Sequence, residues 1–263
     1  PALNKLLLKE KKEVVRAALL TALEKLGQDI QAYLTPAVLL KEAEQGLKGR
    51  LSASLSWFRF SDVPALKWQN GKTLNPSIIQ WWIILVEKLK DPKANELIQR
   101  YVGLLDAKSQ QLLANHILHT FIHQDTLGQT LEDVSSIALK EAPARLKNYQ
   151  DWSKRHPEYY PEYANATLES VTEEMKRQLL ATYLGSAIKS KGLLALTSAA
   201  QGSFAVKQLQ DFMKLHYQRR AQVEAMISAL SISKDPLNIQ LLLGLSRRYR
   251  TASVQALANT LVS

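Results

Sequence analysis

The feature that most constrains this fold is a construction that occurs twice: an apolar helix, a break at Asp-Pro, and a second apolar helix. One break is Asp91-Pro92 and the other is Asp235-Pro236. Asp accepts hydrogen bonds from the free N–H groups at a helix start, and Pro suits the first turn because it has no N–H to leave unsatisfied. Helical hairpins of this kind bury their apolar faces by stacking on neighbours. The pattern therefore predicts an all-α fold of repeated helical hairpins that form a solenoid or superhelical segment.

Two segments of the sequence that match at a fixed spacing support the repeat interpretation. Residues 193–216 align with residues 226–249 at a spacing of 33, and apolar residues match at corresponding positions, for example Leu209 with Leu242. Thr35-Pro36 and Asn75-Pro76 predict further helix starts. We expect residues 1–263 to form one continuous helical-repeat domain. Because the chain begins at Pro1 instead of Met, we also expect it to be a fragment of a larger protein.

Two segments depart from the helical pattern. Residues 51–74 contain the turn signal Asn70-Gly71, which predicts a packed loop, with two short strands as the alternative. Residues 142–164 contain three prolines among several aromatic residues and predict an irregular connection. Trp152, Tyr159 and Tyr160 are candidate ligand contacts in this connection, although the same residues could simply pin it to neighbouring helices.

Positive charge is concentrated near the C-terminus. The chain has a net charge of +10, and residues 186–263 contain ten Lys and Arg against three acidic residues. The candidate residues for an acidic partner or a phosphate are five arginines: Arg219, Arg220, Arg247, Arg248 and Arg250. Their alternative role is to neutralise the carbonyl end of one helix, with Thr251 capping the next.

Signals for catalysis are weak. The sequence lacks a Gly-rich phosphate loop, a His-Glu-x-x-His motif and a Gly-x-Ser-x-Gly elbow, and the absence of Cys excludes disulfides and thiol nucleophiles. His116, His119 and His123 lie on one helix face near Asp125 and could hold zinc or nickel, but no complete ligand set is visible, so we predict no metal site. We also predict no catalytic residue and no cofactor. The longest uncharged apolar stretch, residues 77–86, is too short to span a bilayer, so cytoplasm is the default location.

The C-terminal third resembles a known family. Residues 192–263, with the segments Lys191–Leu196, Arg220–Val223 and Gln240–Gln255, are similar to the helical-repeat part of bacterial proteins of the molybdate metabolism regulator-like family, many of which begin with a WGR domain and contain a domain of unknown function. Residues 64–74 resemble an earlier part of the same proteins. This resemblance implies HEAT-like helical repeats within a larger regulatory protein, and it implies no catalytic residue.

The sequence therefore predicts a non-catalytic binding or scaffolding module whose partner is another protein or another domain of its parent chain. The alternative is nucleic-acid binding through the basic C-terminal repeats, without sequence specificity because no base-reading motif is present.

Overall fold

The structure, a computed structural model, describes residues 2–10 and 12–263 of the chain. Its regular structure is helical, and within the described residues β pairing is limited to isolated bridges. The α-helices are α1 Ala2–Lys9, α2 Glu13–Lys25, α3 Pro36–Gly46, α4 Pro76–Leu89, α5 Glu96–Gly103, α6 Ala107–Asp125, α7 Leu131–Arg155, α8 Leu168–Leu180, α9 Ser203–Leu215, α10 Arg220–Leu230, α11 Pro236–Arg248 and α12 Ala252–Val262. Short 3₁₀ segments lie at Gln31–Tyr33, Ala53–Leu55, Phe60–Asp62, Pro161–Asn165 and Ile188–Thr197. The predicted all-α class is confirmed.

Three of the X-Pro signals do start helices. Thr35, Asn75 and Asp235 are the N-caps of α3, α4 and α11, and each side chain accepts a hydrogen bond from a backbone N–H of the first turn. At the other end of a helix, Gly27 follows α2 with φ = 70°, a conformation that costs glycine little. Local capping chemistry therefore sets these boundaries.

The other Asp-Pro pair does not start a helix, so that prediction is wrong. Helix α4 ends at Leu89, and its C-cap residue Lys90 adopts a left-handed conformation with φ = 56°. Asp91 accepts a hydrogen bond from the backbone N–H two residues later and stabilises a turn. The next helix, α5, begins at Glu96 and is capped by Asn95.

The chain divides into two compact units instead of one continuous array. The first comprises residues 1–123 and 187–263, and the second comprises residues 124–186. The second unit is thus inserted between two segments of the first, which the periodicity of the sequence did not indicate. Among the described residues, every helix is either too short or too polar to cross a membrane.

Helix α4 lies in the core of the first unit. Trp82 of α4 is fully buried and stacks on Tyr101 of α5, with ring centroids 5.2 Å apart. Such a pair contributes roughly 0.5–1.5 kcal/mol beyond the burial of its area. The loop around Asn70-Gly71 packs against this core through buried Leu66, Trp68 and Leu74, with a bridge between residues 67 and 73. The prediction of a packed loop is confirmed. The bridge between residues 67 and 73 is what the structure shows of the alternative, two short strands.

The 33-residue offset corresponds to matching helices. Adding 33 to the bounds of α9 gives the bounds of α11, and adding 33 to residues 188–197 gives residues 221–230 of α10. The matched residues Leu209 and Leu242 are both buried, as are Leu194 and Ile227. Helix α10 contacts both the 3₁₀ segment Ile188–Thr197 and α12, and α9 contacts α11. The segments that the offset relates thus pack against each other at this end of the chain.

The second unit is a pair of helices, α7 and α8, with a small core of Ala138, Ala142, Val171 and Met175. Helix α7 continues through Pro143 to Arg155, so the prediction of irregular structure is wrong for residues 142–155. Pro143 has no N–H to donate to the carbonyl of Leu139, four residues earlier. Both residues are exposed, so water can bind to this carbonyl instead. The irregular connection begins at His156.

Candidate binding surface of the C-terminal helices

The turns that precede α9 and α11 are tied together by hydrogen bonds. The Asp235 carboxylate accepts from the N–H of Gly202 at 2.9 Å while also capping α11. Ser233 Oγ and Asn238 Nδ2 both donate to the carbonyl of Ala200, at 2.7 and 3.1 Å. The Gly202 N–H is the main reason that the pKa of Asp235 is below its usual value. These bonds fix the position of one hairpin against the next.

At the opposite end of these helices, the α9–α10 and α11–α12 loops meet. The guanidinium of Arg250 lies 3.5 Å from the ring centroid of Tyr217, a cation–π contact between the two loops. An open groove of about 600 Å³ lies beside this contact and is lined by residues 217–222 and Thr251. The residues that line the groove include Arg219 and Arg220 and no carboxylate. This groove can attract an anionic group.

One acidic side chain nearby, Glu224, offsets part of this charge. Glu224 lies 3.6 Å from Arg220 Nε and accepts a hydrogen bond from Ser253 Oγ at 2.8 Å. The Arg220 side chain is 62% exposed, so this ion pair contributes little to stability and leaves much of the guanidinium accessible.

The other two candidate arginines lie in the last turn of α11. Arg247 and Arg248 are exposed, and among the described residues neither side chain makes a hydrogen bond or an ion pair. Their position matches the predicted role of balancing the carbonyl end of the helix. The structure therefore places Arg219 and Arg220 in one groove and Arg250 beside it, with Arg247 and Arg248 on an adjacent helix end. Thr251 precedes α12 without a side-chain capping bond.

A second groove, which the sequence did not predict, lies between α9 and α11. It has a volume of about 470 Å³, and its walls include Val206 and Met213 of α9 and Leu237 and Leu241 of α11. Gly244 also lines it, so the backbone of α11 is accessible there. The signal in the sequence was a second apolar stripe on each helix, beside the stripe that is buried in the core.

Three exposed basic residues are close in sequence to the residues that line this apolar groove. Arg248 follows Gly244 by four residues, so it continues the groove-lining face of α11 by one turn. Lys207 and Lys214 are exposed and directly follow the groove residues Val206 and Met213. Helix α11 contains no acidic residue, and α9 contains one, Asp211. The groove therefore has mainly apolar walls, with Arg248 one turn beyond them on the same face of α11 and two exposed lysines on α9 beside the lining positions.

No protein-family model, curated protein or solved structure matches the chain. The resemblance to the molybdate metabolism regulator-like family therefore stays a prediction.

The three aromatic candidates lie in the second unit. Trp152 is in the last turns of α7, and Tyr159 and Tyr160 follow in the connection to α8. Trp152 meets Tyr160 edge to face at 5.7 Å, and His156 lies between Trp152 and Tyr159 at 4.8 and 6.2 Å. The structure thus brings the predicted residues into one aromatic cluster.

The histidines of α6 do lie along one helix, but each has a different environment. His116 packs edge to face on Phe58, and burial lowers the pKa of its imidazole, which favours the neutral form. His119 and His123 stack at 6.4 Å. Asp125 is fully buried and accepts a hydrogen bond from Ser186 Oγ. Across the described residues, no group of three or more His, Asp or Glu side chains is arranged to hold a metal ion.

Proposed function

We propose that this chain is a non-catalytic binding module, built from HEAT-like helical hairpins, that holds an acidic segment of another protein or of another domain of its parent chain. The observation that carries the proposal is the apolar groove between α9 and α11, and the exposed Lys207, Lys214 and Arg248 on the same two helices support an acidic partner. The matching bounds of α9 and α11 support the HEAT-like repeat, and the resemblance to a regulatory family supports a role in a larger protein.

The chemistry of the groove specifies the kind of partner. Leu237 is 39% exposed at the groove wall, so an apolar side chain of a partner could cover area that water now contacts. Lys207, Lys214 and Arg248 favour carboxylates beside those apolar anchors. An amphipathic acidic helix satisfies both requirements, because residues at i, i+3, i+4 and i+7 can enter the groove while acidic residues lie along its edges.

The test uses a fluorescein-labelled acidic amphipathic peptide and the same peptide with each Glu replaced by Lys. Anisotropy titration at physiological salt should show binding of the acidic peptide and much weaker binding of the basic one. Leu237→Ser should weaken binding about fivefold, which corresponds to about 1 kcal/mol of lost apolar contact.

Ile239→Ser is the matched control, because Ile239 is on the same helix and 44% exposed but does not line the groove. Equal effects of the two substitutions, or equal binding of the two peptides, would contradict the proposal.

A second candidate function is binding to the phosphate backbone of nucleic acid. It is favoured by the groove that contains Arg219 and Arg220 and lies beside the contact between Arg250 and Tyr217. Each neutralised phosphate releases counterions, so affinity for duplex DNA should fall with salt, with a log–log slope no steeper than about −4.5 if all five arginines participate.

An Arg219/Arg220/Arg250→Ala variant separates the two functions. It should abolish any binding of duplex DNA or single-stranded RNA at low salt while it leaves the acidic peptide bound. Tight nucleic-acid binding at physiological salt that disappears in this folded variant would favour the second function over the first. Absence of nucleic-acid binding at low salt would eliminate the second.

A further inference from the structure

The aromatic cluster of the second unit forms a continuous series of rings that the proposed function does not use. Tyr149 stacks on Tyr163 at 4.1 Å, Tyr163 stacks on Tyr160 at 4.9 Å, and Tyr160 meets Trp152 at 5.7 Å. The first two pairs are nearly parallel, whereas the last pair is nearly perpendicular, at 81°. The perpendicular pair forms a corner between an indole and a phenol ring.

Holding the connection in place explains only the inner part of this series. Tyr149 and Tyr163 are partly buried, and Tyr149 donates a hydrogen bond to Glu174 of α8 at 3.2 Å. Burial, and then this bond, raise the pKa of Tyr149, so its phenol stays protonated at neutral pH. Trp152 and Tyr159, by contrast, are 49% and 69% exposed. The outer rings present a large apolar surface to solvent.

The outer rings also present unused hydrogen-bond donors. Among the described residues, the indole N–H of Trp152 and the hydroxyls of Tyr159 and Tyr160 have no hydrogen-bond partner, and each can donate. A ligand with free acceptors can replace the water that these exposed donors bind. The carbonyls of a polyproline II segment are free in this sense because that helix has no internal hydrogen bonds, whereas the carbonyls of an α-helix are already bonded.

The local charge further restricts the class of ligand that can bind to this surface. Residues 156–167, which connect α7 to α8, contain Glu158 and Glu162 and no Lys or Arg, although Lys154 and Arg155 end the preceding helix. The second unit as a whole has ten acidic residues against seven Lys and Arg. This balance opposes a nucleic-acid backbone and favours a ligand with basic flanks.

We propose that Trp152, Tyr159 and Tyr160 form a binding site for a proline-rich protein segment in the polyproline II conformation with basic flanking residues. A proline ring enters the corner between Trp152 and Tyr160, and carbonyls of the segment accept from the indole N–H and the phenol hydroxyls. Aromatic-lined surfaces recognise proline-rich segments in this way because the ligand is preordered and loses little entropy on binding. This site is independent of the α9–α11 groove.

The test is an anisotropy titration of the full chain with a fluorescein-labelled oligoproline flanked by lysines. A glycine-serine peptide of equal length with the same flanks is the control ligand. The oligoproline should bind saturably, and the control should not. Trp152→Ala should weaken binding about tenfold or more, as expected for a central aromatic anchor, and Trp152→Phe should weaken it less because the ring remains. Phe204→Ala, at an exposed aromatic residue of the other unit that lines neither groove, should have no effect.

A second readout is independent of the label. Trp152 is the most exposed of the five tryptophans, since the other four are buried or partly buried, so acrylamide quenching reports mainly on it. The oligoproline should protect this fluorescence from quenching. Tyr159 is too exposed for its replacement to affect folding. Tyr159→Ala therefore tests oligoproline binding at this surface if Trp152→Ala does not fold.

Three results would overturn the proposal. One is the lack of saturable oligoproline binding to the folded wild type. Another is unchanged binding in folded Trp152→Ala or Tyr159→Ala. The third is binding of single-stranded RNA or of an oligosaccharide to this surface in preference to oligoproline.

Discussion

Replacing Asp235 with Ala should destabilise the protein far more than the same change at Asp91, although both residues precede proline. Asp235 caps α11 and also accepts from the Gly202 N–H at 2.9 Å. Loss of an N-cap costs about 1 kcal/mol, and loss of a charge-assisted hydrogen bond in a half-buried turn costs about 1 kcal/mol more. Asp91 accepts one bond in an exposed turn, so its replacement should cost less than about 0.5 kcal/mol.

The assay is urea and thermal unfolding followed by far-UV circular dichroism. For a chain of this size, about 2 kcal/mol corresponds to a decrease in Tm of about 4–8 °C for Asp235→Ala. Asp91→Ala should lie close to wild type. Similar decreases for both variants, or no decrease for Asp235→Ala, would refute the inference that Asp235 links two hairpins.

The dependence on pH provides an independent check. Because the Gly202 N–H lowers the pKa of Asp235 in the folded state, the stabilisation is complete above the pKa of an unfolded Asp, about 3.9, and is lost as pH falls through the lower folded value. Asp235→Asn keeps an acceptor but not the charge, so its deficit relative to wild type should shrink below about pH 4. A deficit that stays constant from neutral pH to pH 3 would contradict this assignment.

Three further outcomes are expected. Gly192→Ala should destabilise the first unit by about 1–3 kcal/mol, because a Cβ there would lie 2.1 Å from the Val86 carbonyl oxygen, and urea unfolding measures the loss; a gain in stability would contradict it. Pro143→Ala should stabilise α7 by about 1–3 kcal/mol, because it restores an N–H inside the helix, and hydrogen exchange of α7 amides should slow; faster exchange would mean that the proline is required for packing. Elemental analysis after dialysis should find no stoichiometric zinc or nickel. Bound metal that is lost when His116, His119 and His123 are all replaced by Ala, with folding retained, would contradict this.

Helix identity and many helix ends could be predicted from the sequence, because the interactions that decide them are local. Thr35, Asn75 and Asp235 cap the helices that follow them through bonds to N–H groups two or three residues away. The helical spacing of apolar residues in α10 likewise corresponds to its buried positions, such as Val223 and Leu230. At Asp91 the same dipeptide failed as a signal, because a left-handed Lys90 and the competing cap Asn95 place the next helix four residues later.

Tertiary structure decided the rest, because the relevant contacts join residues that are distant in sequence. Proline propensity predicted a break near residue 143, but packing of Ala138 and Ala142 against α8 supports a continuous α7. The sequence identified five arginines, and only the meeting of two loops brings Arg250 to Tyr217 beside the groove that Arg219 and Arg220 line. The apolar groove has the same origin, since Val206 and Leu237 line one cavity only when α9 and α11 lie side by side. Periodicity specifies which face of a helix is apolar, whereas the neighbour that covers this face depends on how the whole chain packs.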